Sequence, residues 1–442
     1  MRVRRNKGRR TVLAGAVAIA IGIFSWSIVE RLEQPNAPAQ LVSIQQLPEY
    51  SELCPPWEPA GANSNLIGGS EKDNLFAALQ ETSVYAAQDG GETNTVSRPP
   101  VRNILDRDPI YSSIAVDTQF NEVALVDSNT WSIGVFNRLD NTASNTARSE
   151  PKRWISGLKT DIAFSSGVYI DPKNGEIYVI ENDIGDSISV FDHDANGDVA
   201  PLRKLNVTHR AHSIAVDEEG QVFYLTVQYP PQVAVYPKNA SGDDKPLRLL
   251  EGESTRLSDS HGIAIDVKNK LMFVNNWGNI SQHDSAGTGR FEPASITVYP
   301  LEANGDTAPS RVIQGPKTQL NWPGQMSVDP ESGDLYVAND VGQSILVFGR
   351  TDQGDVQPRR VIKGNRTGLS YPLGLSLDTR NKEVWVSNLG NSSATVYPMT
   401  ANGNVAPLRT IRSAPAGKVS LRFGKTQALA YNSKREEILV PN

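Results

Sequence analysis

Residues Val190–Leu205 read VFDHDANGDVAPLRKL, and the middle of that stretch, D-H-D-A-N-G-D, can be parsed in two ways. Carboxylate and amide oxygens at alternate positions before a glycine are what a calcium loop offers. Asn196-Gly197 is also the dipeptide that supplies positive φ for a turn between antiparallel strands. The twelfth position of a calcium loop, where a bidentate Glu belongs, falls on Arg203. The stretches matching it elsewhere place Pro237, Pro300, Gly349 and Pro398 opposite Asp192, so the unit is built without a carboxylate there. The motif is a corner, and its recurrence exposes a repeat.

That repeat runs from about residue 82 to the end of the chain. Each unit opens with an apolar run ending in Asp: SIAVD (113–117), GVYID (167–171), SIAVD (213–217), GIAID (262–266), QMSVD (325–329) and GLSLD (374–378). ALAYN (428–432) closes the series with Asn. Second runs such as EIYVIEN, DLYVAND and EILVPN follow, then third runs such as SISVF, QVAVY and SILVF. A fourth run is headed by Pro-x-Arg, as in Pro201-Leu202-Arg203 and Pro407-Leu408-Arg409. Short runs rich in Val, Ile and Tyr between turn residues predict four antiparallel strands per unit. The spacings of 54, 46, 49, 63, 49 and 54 residues between the closing Asp or Asn positions are those of propeller blades. Pro fits the head of an outer edge strand, and the arginines beside it are expected to be solvated.

The sequence predicts an all-β, seven-bladed propeller. ALAYN and EILVPN lack a third and fourth strand, while Thr82–Leu105 (TSVYAAQDGGETNTVSRPPVRNIL) has the pattern of exactly those two. Joining them gives a two-plus-two clasp that completes a seventh blade and leaves no open edge.

Strings such as HGIAIDVKNKLMFVNN and YPLGLSLDTRNKEVWVSNLGN resemble NHL-type propeller repeats over residues 82–442. The resemblance implies the fold; such propellers act as scaffolds, ligand binders, lactonases and lyases alike. It also implies two metal chemistries: a zinc site built with histidines, as in the NHL-like amidating lyases, and a Glu/Asp/Asn calcium site at the channel, as in lactonase-type propellers. Glu181 beside Asn182 matches part of the latter.

Ahead of the repeat lie two other materials. Residues 1–30 combine MRVRRNKGRR, with six cations and no acid, and the 19 uncharged residues Thr11–Val29. As a helix these span ~28 Å, close to a bilayer core. The basic flank is expected to stay cytoplasmic, placing the rest across the membrane, either periplasmic or on the cell surface. Cleavage after Ala37-Pro38-Ala39, which would make the protein secreted, and a twin-arginine signal at Arg9-Arg10 are rival readings of the same segment. Residues 31–81 are Pro-, Ala- and Asn-rich without a period and read as a linker.

Composition excludes several functions. The 43 Lys+Arg against 49 Asp+Glu disfavour nucleic acid as a partner. One cysteine, Cys54, excludes an internal disulfide and a CxxC centre. No G-x-S-x-G nucleophile, phosphate loop or HExxH helix is present.

Candidate site residues gather on one face. His212 and His261 each lie five residues before the Asp of neighbouring units, where the link enters the inner strand. Unit four carries a long second-to-third loop: Asn276 to Tyr299 takes 23 steps against 9 for Asn388 to Tyr397. It brings Trp277, His283, Asp284 and Arg290 to the same face. His212, His261, Asn276, Trp277, His283 and Arg290 are the expected ligand-binding set, for a protein, peptide or glycan, with no cofactor and no catalytic role. The alternative is a zinc or calcium lyase or lactonase-like hydrolase, with His212, His261 and His283 as metal ligands. Asp127, Asn182, Thr226, Asn276, Asn339, Asn388 and Asn442 are expected to close second strands in a structural role.

Overall fold

The computed structural model describes residues 108–143, 148–280, 290–415, 430–432 and 437–439. Among them stand six four-stranded antiparallel sheets, each a meander from an inner to an outer strand. The inner strands are Tyr111–Asp117, Ser165–Ile170, Ala211–Asp217, Ser260–Asp266, Pro323–Val328 and Pro372–Asp378. The alternation read in the sequence is the buried face of each blade. Interleaved side chains from neighbouring blades form six separate cores, one per joint.

The expected seventh blade is absent from this ring. The inner strand of blade six packs directly on that of blade one, so close that a Cβ on Gly374 would lie 2.8 Å from the Ser113 Cα. Tyr111, Ile114, Trp385, Val396 and Ile411 share one core across that joint. Tyr111 Oη and Ser413 Oγ bond at 2.5 Å, and Arg138 reaches Asp378 at 3.3 Å and Glu383 at 3.2 Å. No room remains for a clasp blade. Of the ALAYN and EILVPN runs, Ala430–Asn432 and Glu437–Leu439 pair as a two-stranded sheet that, among the described residues, joins no blade sheet. The other half of the expected clasp, residues 82–105, lies outside the described residues. The expected membrane span Thr11–Val29 also lies outside them; among the described residues no helix is long and apolar enough to cross a membrane.

What fixes the ring at six is the segment typified by Val190–Leu205. The connection from third to outer strand is an arm laid along the outer strand of the preceding blade. Gly197 N donates to Trp154 O (2.8 Å) and Ser156 N donates to Gly197 O (3.2 Å). Trp154 N donates to Asn196 Oδ1 (3.0 Å), and Lys159 N to Asp198 Oδ1 (2.6 Å). Gly242, Gly305, Gly354 and Gly403 bridge in the same parallel fashion to Leu205, Leu250, Ile313 and Ile362. Blade one closes the circle with Asn141-Thr142: Thr142 N donates to Thr410 O (2.7 Å), and Thr410 N donates to Asn141 Oδ1 (3.0 Å). Six arms grip six outer strands, and none is left over.

The Pro-x-Arg arginines differ from their expected solvated state. Arg203 sits 3.0 Å from Glu176 and donates to Tyr178 Oη at 2.6 Å, while Arg360 and Arg409 hold Asp334 (2.8 Å) and Glu383 (2.7 Å). In these blades the acid at the start of the second strand neutralises the arginine on the outer strand two places away in the sheet, whereas Arg248 pairs with Glu302 (2.9 Å) and Arg311 donates to Arg350 O (2.8 Å).

Candidate functional site

Meander topology sends the inter-blade links and the second-to-third turns to one face, here called the top. On it, the residue two before each histidine position accepts a backbone bond from the residue after the second strand. The pairs include Ile110 with Ser128, Arg210 with Gln228, Asp259 with Trp277, Trp322 with Asp340, and Tyr371 with Leu389. Each pair pins a link to a turn and so fixes the side chains of both.

The axis is shut at this end. Where inner strands converge, Ser113, Gly167, Ser213, Gly262 and Gly374 are small. A Cβ on Gly167 would meet the His212 carbonyl oxygen at 2.7 Å. The sixth member of this ring is Gln325. Its Nε2 donates to Ser113 Oγ (2.5 Å) and its Oε1 accepts from Leu375 N (3.2 Å), so one side chain ties blades one, five and six. Beneath it lies an axial cavity of about 250 Å³ lined by all six inner strands.

The two histidines come together as expected, rings 4.2 Å apart, and both are buried. A carbonyl acceptor requires a donor, so His212 Nδ1–H donates to His261 O (2.7 Å) and His261 Nδ1–H to Asp259 O (3.0 Å). His261 Nε2 then accepts from Gln228 Nε2 (2.8 Å), which also donates to Asp259 Oδ1 (2.9 Å). Burial, with His261 nearby, holds His212 well below the ordinary imidazole range, and burial takes His261 down to about 3. Burial also lifts Asp259 to about 6 and Glu181 to about 7. A catalytic zinc needs three protein ligands with free lone pairs. The Nδ1–H bonds to carbonyls are those a metal-binding imidazole also makes, but His261 Nε2 is taken by Gln228, and among the described residues no group of three His, Cys, Asp or Glu is arranged to hold a metal. The pair does not fit the implied zinc site. Glu181, of the implied calcium set, accepts instead from Ala163 N (2.8 Å) and from Ser165 Oγ.

Trp277 stacks on His261 at 3.4 Å and 5°, and donates Nε1–H to Pro323 O (2.8 Å). Asn276 lies beneath, fully buried, accepting from Ser258 N (2.9 Å) and Ser260 Oγ (3.0 Å). The blade-four insertion leaves the top face as a short ribbon, Asn279–Ile280 paired with Arg290–Phe291. His283 lies outside the described residues. The second-strand ring is structural at Asp127, Asn276, Asn339 and Asn388, each accepting a link amide. In blade two Glu181 does this, not Asn182, and in blade three the position is Val227, not Thr226; Asn442 lies outside the described residues.

Sequence reasoning missed the outer half of the site. Trp322 stacks on Trp277 at 4.4 Å, extending the rings into a four-membered ladder: His212, His261, Trp277, Trp322. Its innermost member is buried and its outermost is 46% exposed. Tyr371 occupies the equivalent link position in blade six. The available signal was repeat position: Arg210, Asp259, Trp322 and Tyr371 stand two places before the residues aligned with His212.

No family model matches the chain, and no curated protein matches it. Among solved structures, the hydrazine synthase of Kuenenia stuttgartiensis is similar at 11% identity with a TM-score of 0.47, over 78% of this chain and 98% of that one. The β-propeller assignment rests on the strand order and closure described above.

Proposed function

We propose that this protein is a membrane-tethered, extracytoplasmic binding module of NHL-like type, which captures a ligand on its top face without catalysing a reaction. The supporting observation is the ring ladder, anchored at His212 in the protein interior and ending in an exposed Trp322. A surface aromatic whose rear face is held by packed rings is pre-organised, so little side-chain entropy is lost on contact with a partner. The neutral, hydrogen-bonded histidines support this as the base of the ladder.

The fluorescence contributed by Trp322, taken as the difference between the full chain and Trp322→Phe, reports on the site. Titration with oligosaccharides, proline-rich peptides and cell-wall fragments is expected to quench it with at least one class. No response from any class overturns the binding proposal. For location, a C-terminal alkaline phosphatase fusion is expected to be active in a bacterial host; an inactive phosphatase beside an active β-galactosidase fusion overturns it.

A further inference from the structure

We propose that His193 is a pH-operated latch between blades one and two, closed when its imidazole is protonated. What carries it is a repeat position at which three other joints hold a permanent cation.

The residue two places after the closing aromatic of the third strand reaches back to the preceding blade. In blade one it is Arg138, on Asp378 (3.3 Å) and Glu383 (3.2 Å), the acids that end the inner strand and begin the second strand of blade six. In blade three it is Lys238 on Asp171 (2.7 Å), and in blade five Arg350 on Asp266 (2.6 Å). In blades four and six it is Leu301 and Met399, buried in the joint cores. In blade two it is His193, which stands 3.3 Å from Glu122 and acts electrostatically on Asp117. Those two acids are the counterparts in blade one of Glu383 and Asp378. Among the described joints, the cation depends on pH at this one alone.

The partners of the ring decide which protonation state fits. Nδ1 lies 2.8 Å from Asp194 Oδ1, and Nε2 lies 3.3 Å from Glu122 Oε2. A neutral imidazole has one N–H and one bare lone pair, so either tautomer turns a lone pair on a carboxylate. The imidazolium, with two N–H groups, suits both. His193 Nε2 and Asp117 Oδ2 are buried and have no hydrogen-bond partner among the described residues. A proton on Nε2 gives the nitrogen a partner in Glu122 and brings Asp117 a cation.

The surrounding charges favour that proton. Asp117, Glu122 and Asp194 are met by two cations, Lys152 and Arg153, both of which hold Glu122. The cluster is one positive charge short, and the imidazolium supplies it. From the first turn of blade two, Gly175 packs on the ring, where a Cβ would stand 2.4 Å from His193 Cδ2. The charged residues of that turn are engaged elsewhere, Lys173 with Glu218 (3.6 Å) and Glu176 with Arg203 (3.0 Å). Asp192 accepts from Asp194 N (2.9 Å), and Phe120 lies against the imidazole at 4.3 Å.

Position gives the latch its effect. His193 stands at the root of the arm, residues 196–198, that grips the outer strand of blade one. At the top of the same joint Ser112 and Ser128 both donate to Ser165 O (3.0 and 2.9 Å), bonds that do not depend on pH. Acidification therefore tightens the arm's end of the joint and leaves the top end as it is. Imidazole is the side chain whose charge ordinarily changes between pH 5 and 8.

The test is thermal unfolding of the full chain in detergent at pH 8 and pH 5.5, for the parent, His193→Gln and His193→Arg. A proton held more tightly by the folded state adds stability as pH falls. His212 and His261 act with the opposite sign, so the difference between variant and parent isolates the latch. From pH 8 to pH 5.5 the parent is expected to gain about 2 °C or more over His193→Gln, whose amide does not titrate. His193→Arg, a permanent cation, is expected to fall by a similar amount relative to the parent, whatever its absolute Tm. Hydrogen exchange locates the effect. At pH 5.5 peptides covering residues 117–122 and 196–198 should exchange more slowly in the parent than in His193→Gln, and at pH 8 the two should exchange alike. A difference between parent and His193→Gln that is the same at both pH values assigns His193 to packing and overturns the latch.

Discussion

Glu181 stands where blades one, four, five and six have Asp or Asn, and it is fully buried. Its pKa of about 7, raised by burial from 4.5, means the folded state holds a proton that the unfolded chain releases. Stability from this group is therefore present below pH 4.5 and lost as pH rises toward 7, by at most about 3 kcal/mol. His212 and His261 act with the opposite sign: both are depressed, so their contribution is complete above 6.5 and lost as pH falls. Glu181→Gln is expected to raise Tm at pH 8, with its Nε2 donating to a Ser165 hydroxyl that turns acceptor. The gain should vanish near pH 4.5, exposing a steeper acid limb from the histidines. A Tm gain independent of pH would contradict this. The meeting of His212 and His261 was legible in the sequence because equivalent repeat positions meet. Their commitment to carbonyls was not, since a ring nitrogen's partner depends on neighbouring links. Trp322 was passed over because a single exposed aromatic has no sequence period.

At the scale of the element, the arm from third to outer strand is the unit of cohesion. Gly197, Gly242, Gly305, Gly354 and Gly403 all take positive φ, between 58° and 75°, and a Cβ on any of them would meet nothing within 4 Å. Only the backbone angle demands glycine there. Gly305→Ala is expected to destabilise by about 1 kcal/mol, the cost of left-handed alanine, without disturbing packing. Asp306→Ala removes the bond to Ser254 N (2.7 Å) and is expected to cost a similar amount. Urea denaturation checks both; no change in midpoint for either would remove the arm from the forces holding blades together. The Gly after four of the six outer strands belongs to the same device. Gly157, Gly252, Gly315 and Gly364 each head a turn whose Thr, three residues on, donates back to the Gly carbonyl at 2.6 to 2.7 Å. That G-x-x-T signature recurs four times in plain sight. It escapes a reading based on apolar runs because it lies in the links.

For the molecule as a whole, strand type, meander order and blade period were readable from residues 108–415, since each follows from local alternation and turn chemistry. Blade number was not. Counting repeats gave seven, because ALAYN and EILVPN carry the first two runs of a unit. Ring size is instead set by which neighbours grip one another. Asn141-Thr142 completes that circuit without the glycine that marks the other five arms, so the closing joint has no visible signature. The consequence is testable by truncation. Were the chain closed by a clasp, deleting residues 416–442 would open a blade, expose two sheet edges and collapse the fold. With blade six packed on blade one through Tyr111, Trp385 and the Arg138–Asp378 pair, the shortened chain is expected to keep its unfolding cooperativity and lose no more than a few degrees of Tm. The severe variant is the one at the true joint. Arg138→Ala leaves Asp378, whose side chain is inaccessible to solvent, without its cation; stranding such a carboxylate costs about 3 kcal/mol or more. Calorimetry on the two proteins ranks them, and a truncation more damaging than Arg138→Ala would return the closure to the C-terminus.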